Sequence, residues 1–351
     1  MKNTKTKIEL YLDSGFLNFD YIMRYGTTFN FIIGGRGIGK TYGALKYIVE
    51  NDKRFFFMRR TQSQIDTVAI PEFSPFKSLN CDFGWNIGIF QNGKYMKAVY
   101  NCESGDEGKL VPSGPPIGVA SALSTISNIR GFDASDIEII VFDEFIPERH
   151  ERLIKDEASA FLNAYETINR NRELKGQLPV KVLALSNSNN IATPLFTELN
   201  LINTVNKMIL GHREEYHDKS RDISIYNIQH SPISQKKKAT AIYKLSGEKT
   251  NFYKMSITND YAQERYEIRG RKLIEYRPLA NCGEVCVYKH KSNGSYYVSF
   301  TKNNTVAEFG NTDLEKMKFR KSFTILWQAF LNDRIEFESP AAAEFFKSIW
   351  V

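Results

Sequence analysis

Cysteine is scarce: the chain has four in 351 residues. That number excludes a disulfide-stapled scaffold. Cys282 and Cys286 lie close in sequence, but no neighbouring Cys or His completes a zinc set, so all four read as reduced thiols of a cytosolic protein. No run of eighteen apolar residues occurs, which argues against a helical membrane span. The N-terminus, MKNTKTKIELYLDSG, is polar and lacks the apolar core of a secretory signal. There is no internal repeat. What is present is ordinary for a folded protein: 42% hydrophobic and 25% charged residues, which exclude global disorder and a fibrous chain. The length fits two domains.

Charge is unevenly placed. The formal net charge is +7, and residues 231–351 hold 20 Lys and Arg against 13 Asp and Glu, so the first 230 residues are neutral. The densest stretch runs through Lys236, Lys237, Lys238, Lys244, Lys249, Lys254, Arg265, Arg269, Arg271 and Lys272. A basic region beside a neutral one fits either an anionic partner such as nucleic acid or a solvated face.

Patterning predicts an α/β first domain over residues 1–200. Apolar runs at 29–33, 54–58, 117–122, 137–142 and 180–185 read as buried strands, and 41–49 and 157–171 as helices between them. That alternation predicts a mostly parallel sheet covered on both faces. Residues 86–100 read as a hairpin turning at Asn92-Gly93, and 101–116 as a loop, by their Gly, Pro and Ser content. Residues 201–235 read as a linker or small helical subdomain. Residues 236–351 read as a smaller basic α+β domain, with strand-like stretches at 241–245, 252–257, 284–289 and 295–300. A helix is expected over about 313–332, burying Leu314, Met317, Leu326, Trp327, Phe330 and Leu331, and another starts at Ser339-Pro340.

Gly34-Gly35-Arg36-Gly37-Ile38-Gly39-Lys40-Thr41 matches the phosphate-loop pattern at every fixed position, after an apolar strand and before a helix. Glycines let backbone N–H groups close around phosphate oxygens. Lys40 is expected to reach the β- and γ-phosphates of ATP, and the Thr41 hydroxyl to ligate Mg²⁺. The strand at 137–142 ends in Asp143 and Glu144. Asp143 is the expected Mg²⁺ partner and Glu144 the general base for a lytic water. Asn187, ending the strand at 180–185, is a candidate sensor of the γ-phosphate. Arg170 is the candidate arginine finger acting on a neighbouring subunit, and Arg172 a weaker one. Arg59 and Arg60, after the second strand, face either nucleotide or neighbour, or neither.

Taken together, the stretches FIIGGRGIGKTY, FFFMRRTQ, IIVFDEFIPE, ETINRNRE and LALSNSNN resemble, in order and spacing, the genome-packaging ATPases of small protein-primed podophages of the picovirus group. Ser127 to Phe132, with Arg130, is also similar to large-terminase ATPases. The resemblance covers most of residues 20–200 and is weaker over 240–351. It implies an additional-strand (ASCE) P-loop nucleotidase, with the sensor strand between the phosphate-loop and acidic-pair strands. It implies a ring of five copies on the portal protein of a procapsid, pumping double-stranded DNA with ATP in the host cytoplasm. It further implies a C-terminal domain of nuclease-derived, RNase H-like fold without catalysis, and in some members a structural packaging RNA. Lys40, Asp143, Glu144, Arg170 and Asn187 inherit the ATP-site roles. The family can carry a lysine shortly after its paired arginines, acting between subunits; here that position is Gln62, so the resemblance implies that Arg59, Arg60 or a residue elsewhere substitutes.

No nuclease activity is expected. Asp260, Glu264, Glu267, Glu275, Glu284, Asp313 and Asp333 supply acids, yet none is an aspartate inside a predicted strand, where a metal ligand of such a fold would be anchored. A nucleotide-gated, nucleic-acid-binding adaptor that assembles on ATP without moving DNA fits the phosphate loop and basic region equally well. Only the ordered set of matching stretches favours the motor.

Overall fold

The protein is described here by a computed structural model over residues 9–105, 109–129, 131–147, 151, 154–187, 191–248, 250, 253 and 270–350. Along the chain the helices are α1 (Phe19–Arg24), α2 (Lys40–Glu50), α3 (Gln62–Val68), α4 (Lys77–Phe83), α5 (Glu157–Asn169), α6 (Pro194–Glu198), α7 (Ile202–Leu210), α8 (Pro232–Lys237), α9 (Ala241–Ser246), α10 (Asp313–Ser322), α11 (Thr324–Leu331) and α12 (Pro340–Trp350). The strands are β1 (Phe29–Gly34), β2 (Phe55–Arg59), β3 (Ile87–Gln91), β4 (Met96–Ser104), β5 (Leu110–Ala122), β6 (Ile139–Asp143), β7 (Lys181–Ser186), β8 (Glu215–Asp218), β9 (Ile223–Ile228), β10 (Tyr276–Cys282), β11 (Val285–His290), β12 (Tyr296–Ser299), β13 (Ala307–Phe309) and β14 (Ile335–Phe337). They sort into two compact units, Met1–Ser188 with Glu214–Asn259, and Asn189–Arg213 with Asp260–Val351.

The first unit is built on a nine-stranded sheet in the order β3-β4-β5-β2-β6-β7-β1-β9-β8. Its centre is parallel and apolar on both faces, as in Phe55, Phe56, Phe57 and Met58, none more than 1% exposed. Burying each such side chain stabilises the fold by about 1.5–3 kcal/mol. Strand β7 lies between β1 and β6, the place that the resemblance implied for a sensor strand. Registers Met58↔Phe142, Asp143↔Leu185 and Ile33↔Ser186 bring the C-terminal ends of β2, β6, β7 and β1 to one edge.

Two stretches of this unit differ from the sequence expectation. Residues 101–116 are not a loop: their described part forms the outer half of an antiparallel ribbon, β4 with β5. Before Gly118, where pairing with β2 starts, β4 is the single partner strand of β5 among the described residues. A strand with a free edge tolerates Pro112, Pro115 and Pro116, because the missing N–H groups need not face a partner. Residues 201–235 are not a linker or helical subdomain. Strand β9 lies within them, wholly buried, and extends the sheet beside β1 in parallel register from Phe29↔Ile223 to Gly34↔Ile228. Lys236, Lys237, Lys238 and Lys244 also belong to this unit, so the dense basic stretch is not confined to a C-terminal domain.

The second unit holds α6, α7 and a five-stranded mixed sheet in the order β13-β10-β11-β12-β14, with α10, α11 and α12. Strands β10, β11 and β12 form an antiparallel meander; β13 is parallel to β10 and β14 to β12. Ser339 caps α12 by accepting from the Ala342 N–H at 3.2 Å, as its sequence predicts. The helix expected over 313–332 is two helices. Phe323 leaves the helical region (φ −130°, ψ 40°) and its ring meets Phe319 at 5.1 Å and Phe309 at 6.1 Å. Leu314 and Leu331 are exposed, whereas Phe319 and Leu326 are buried. The strand expected at 241–245 is the helix α9, which buries Tyr243 against Tyr253. Apart from Tyr253, the strand expected at 252–257, together with Arg130, Lys249, Lys254, Asp260, Glu264, Arg265, Glu267 and Arg269, lies outside the described residues.

Candidate functional site

Strand β1 delivers the glycine-rich turn to the common edge of the sheet. Gly39 adopts φ +89° at the start of α2, and a side chain there would meet the ring of Phe16 at 3.1 Å, so the position requires glycine on both counts. Lys40 follows as the first helical residue and is 6% exposed. Its Nζ donates to the Gly34 carbonyl at 2.8 Å and the Gly35 carbonyl at 2.7 Å. Its pKa is lowered to about 7, chiefly by burial; Asp143 and Glu144 pull it up, while Lys237 and Arg36 add to the lowering.

Next to it, the Thr41 Oγ1 donates to Asp143 Oδ1 at 2.7 Å, across 102 residues of sequence. Asp143 ends β6 and is 2% exposed. Its other oxygen accepts from Arg59 Nη2 at 2.7 Å and Nε at 3.2 Å. Arg59 Nη1 also lies 3.6 Å from Glu144 Oε2. Glu144 turns out of the strand with φ 58°, a left-handed conformation that costs a non-glycine residue about 1–3 kcal/mol. That turn separates the two neighbouring carboxylates: Asp143 is buried against Thr41, while the Glu144 side chain is 40% exposed. Asn187 leaves β7 at the same edge, between the ends of β1 and β6.

The arrangement therefore gathers Gly34, Gly35, Arg36, Gly37, Ile38, Gly39, Lys40, Thr41, Asp143, Glu144 and Asn187 at one end of the sheet. It also recruits Arg59, which sequence reasoning left undecided. The signal was present but not local: Arg59 is one residue beyond the Met58↔Phe142 pair, hence beside Asp143 once β2 and β6 are known to be neighbours.

Other sequence candidates lie elsewhere. Arg170, just past α5, has φ 48° and directs Nη2 to the Phe132 carbonyl and Nη1 to Asp133 Oδ1 at 3.5 Å. Arg172 donates to the carbonyls of Ala134 and Ser135 at 3.0 and 2.7 Å. Both contact the segment that leads into β6, at the opposite end of the sheet from Asp143 and separated from it by about 17 Å of strand. Arg60 is fully buried, held by Glu157 at 2.6 and 3.0 Å and by Glu151 at 3.1 Å, so it serves the junction of β2 with α5 rather than the site. Gln62 opens α3, donating to Asp66 and accepting from Thr125.

Comparison with known proteins sets this geometry in a family. Residues 12–300 match the family described as podovirus DNA encapsidation protein (Gp16). The chain is 29% identical over 197 residues to the DNA packaging protein of Bacillus phage phi29, covering 55% of this chain and 52% of that one; the protein of Bacillus phage PZA matches to the same degree. It thus spans about half the length of these curated relatives. In fold, it resembles the bacteriophage Phi-29 viral genome packaging motor assembly with a TM-score of 0.60 at 22% identity, over 95% of this chain and 97% of that one. It resembles the Phi-28 gp11 DNA packaging motor with a TM-score of 0.59 at 19% identity, over 96% of each chain. With a match over most of its length and a phosphate loop coupled to an acidic strand end, the chain belongs to the podovirus DNA encapsidation protein (Gp16) family.

Proposed function

We propose that this chain is the ATP-hydrolysing subunit of a motor that drives double-stranded DNA into a phage procapsid. The observation that carries it is the direct hydrogen bond between the phosphate-loop hydroxyl of Thr41 and the buried carboxylate of Asp143, in a chain of this family. A hydroxyl and a carboxylate are hard oxygen donors that fit Mg²⁺, and both already converge on one point. When bound there, Mg²⁺ supplies charge neutralisation for the triphosphate. Thr41 and Asp143 hold that point in place. Lys40 exchanges the Gly34 and Gly35 carbonyls for phosphate oxygens, and the loop's N–H groups line the rest of the anion. Glu144, turned away from Asp143, accepts the proton of the attacking water at its carboxylate. Asn187 orients that water or the terminal phosphate. Arg59 fixes the direction of the Asp143 carboxylate through its two hydrogen bonds.

Arg170 lies too far from its own loop to serve it, which supports action on a neighbouring subunit's ATP in a ring. Five copies, a portal docking partner, a structural packaging RNA and work in the host cytoplasm follow by resemblance and are part of this proposal. So is the reading of the second unit as a nuclease-derived, RNase H-like fold without cutting activity. Its acid Glu284 is committed to structure, accepting from the Ile202 and Asn203 N–H groups at the start of α7.

The deciding experiment is steady-state ATP turnover with and without double-stranded DNA over a range of protein concentrations. Turnover is expected to rise more steeply than protein concentration and to be stimulated by DNA. Lys40→Ala abolishes it, whereas Glu144→Gln keeps nucleotide binding and loses hydrolysis. Normal turnover in both variants removes the assigned site.

A further inference from the structure

The phosphate loop presents three successive carbonyls, those of Gly34, Gly35 and Arg36, and two lysines cap them. Lys40 takes the first two. The third, Arg36, accepts from the Nζ of Lys237, which arrives from the last residue of α8, far along the chain. The contact is close on the loop itself. A side chain built on Gly37 would fall 2.2 Å from Lys237 Nζ and 3.0 Å from its Cε, so the ammonium rests directly on the face of that glycine.

Lys237 is held there by its helix. Ser231, 1% exposed, precedes α8 and donates to the Gly15 carbonyl at 3.2 Å. Ile233 packs on the apolar core beneath the loop, and Lys236 donates to the Ser14 carbonyl at 3.4 Å. The result is a second lysine amine, half-buried, fixed beside that of Lys40 at a loop built to close around an anion. Two like charges held together are mutually unfavourable until an anion lies between them.

We propose that Lys237 is a second phosphate-binding lysine of the nucleotide site, exchanging the Arg36 carbonyl for an oxygen of a bound nucleoside triphosphate. This rests on the phosphate-loop reading above and adds to it a residue that no phosphate-loop pattern contains.

The test measures binding of the non-hydrolysable analogue AMP-PNP with Mg²⁺ to the full chain. Lys237→Met, which keeps the aliphatic stem, is expected to weaken binding about tenfold, and Lys237→Arg to restore most of it. In the wild-type protein, acetylation of Lys237 by an activated ester, read by mass spectrometry, is expected to fall several-fold at saturating analogue while the exposed Lys175 is unaffected. Loss of binding in Lys40→Ala with wild-type binding in Lys237→Met overturns this proposal and leaves the nucleotide site standing. Wild-type binding in both overturns the site. If Lys237→Met does not fold, the acetylation experiment decides alone, and Lys237 labelling unchanged at saturating analogue overturns the proposal.

Discussion

Lys40 is buried with two carbonyl oxygens as partners, so the folded protein holds its proton less tightly than an unfolded chain does. Its pKa falls from 10.5 to about 7. Between those values the unfolded chain carries the proton and the folded one does not, so this group makes stability rise with pH across that window. A bound triphosphate reverses the balance, because its negative charge restores the ammonium. Nucleotide binding is therefore expected to take up a proton at pH 8, and affinity to weaken by up to about tenfold per pH unit above neutrality. Titration calorimetry in two buffers of different ionisation enthalpy measures the uptake. Lys40→Arg, charged at every accessible pH, is expected to take up markedly less. No uptake by the wild-type protein at pH 8 would refute the buried-ammonium account. Residues of this kind were legible because the phosphate loop is local: eight consecutive positions declare themselves. Arg59 and Lys237 were not, since each reaches the site through strand pairing or a helix placed by distant sequence.

At the scale of elements, the joint between β2 and α5 depends on a charge. Arg60 is fully buried, and Glu157 in the first turn of α5 is 4% exposed. Together with Glu151 they form a two-sided clamp around the guanidinium. Removing one member leaves a buried charge without its counter-ion. Arg60→Ala is expected to destabilise the protein by about 3–5 kcal/mol, whereas Arg60→Met with Glu157→Leu recovers most of the loss. Urea unfolding monitored by circular dichroism reads both, and equal stability of the single and double variants would refute the clamp. The same joint shows why sequence reading stalled between elements. The central strands and α2 were legible from apolar runs and glycine boundaries, to within one or two residues. The ribbon at 101–116 was not, because its Pro and Gly content is that of a loop and becomes tolerable only on a free sheet edge. Nor was β9, whose Ile223 to Ile228 run has no flanking motif and is defined by its place beside β1. Helix α9 differs from the expected strand for a related reason: five residues of mixed polarity carry too little periodicity to separate strand from helix.

For the whole molecule, the decisive fact is that one chain carries its phosphate loop and Arg170 at opposite ends of the same sheet. The crossover through α5 makes this unavoidable. It leaves the C-terminal end of β6, where Asp143 and Glu144 sit, and returns to the N-terminal end of β7, depositing Arg170 against Asp133 on the way. If the guanidinium completes a site, that site belongs to another copy, and head-to-tail contact of this kind makes a ring where the rotation between copies closes. Two inactive variants should then rescue one another. Lys40→Ala has no working loop but an intact Arg170; Arg170→Ala has the reverse. In an equal mixture, about a quarter of the sites pair a working loop with a neighbour's arginine, if subunits assemble at random. ATP turnover in the mixture is expected to exceed that of either variant alone and to approach that fraction of the wild-type rate. An arginine serving its own loop gives no rescue at any mixing ratio, and turnover then stays at the level of the two variants measured apart.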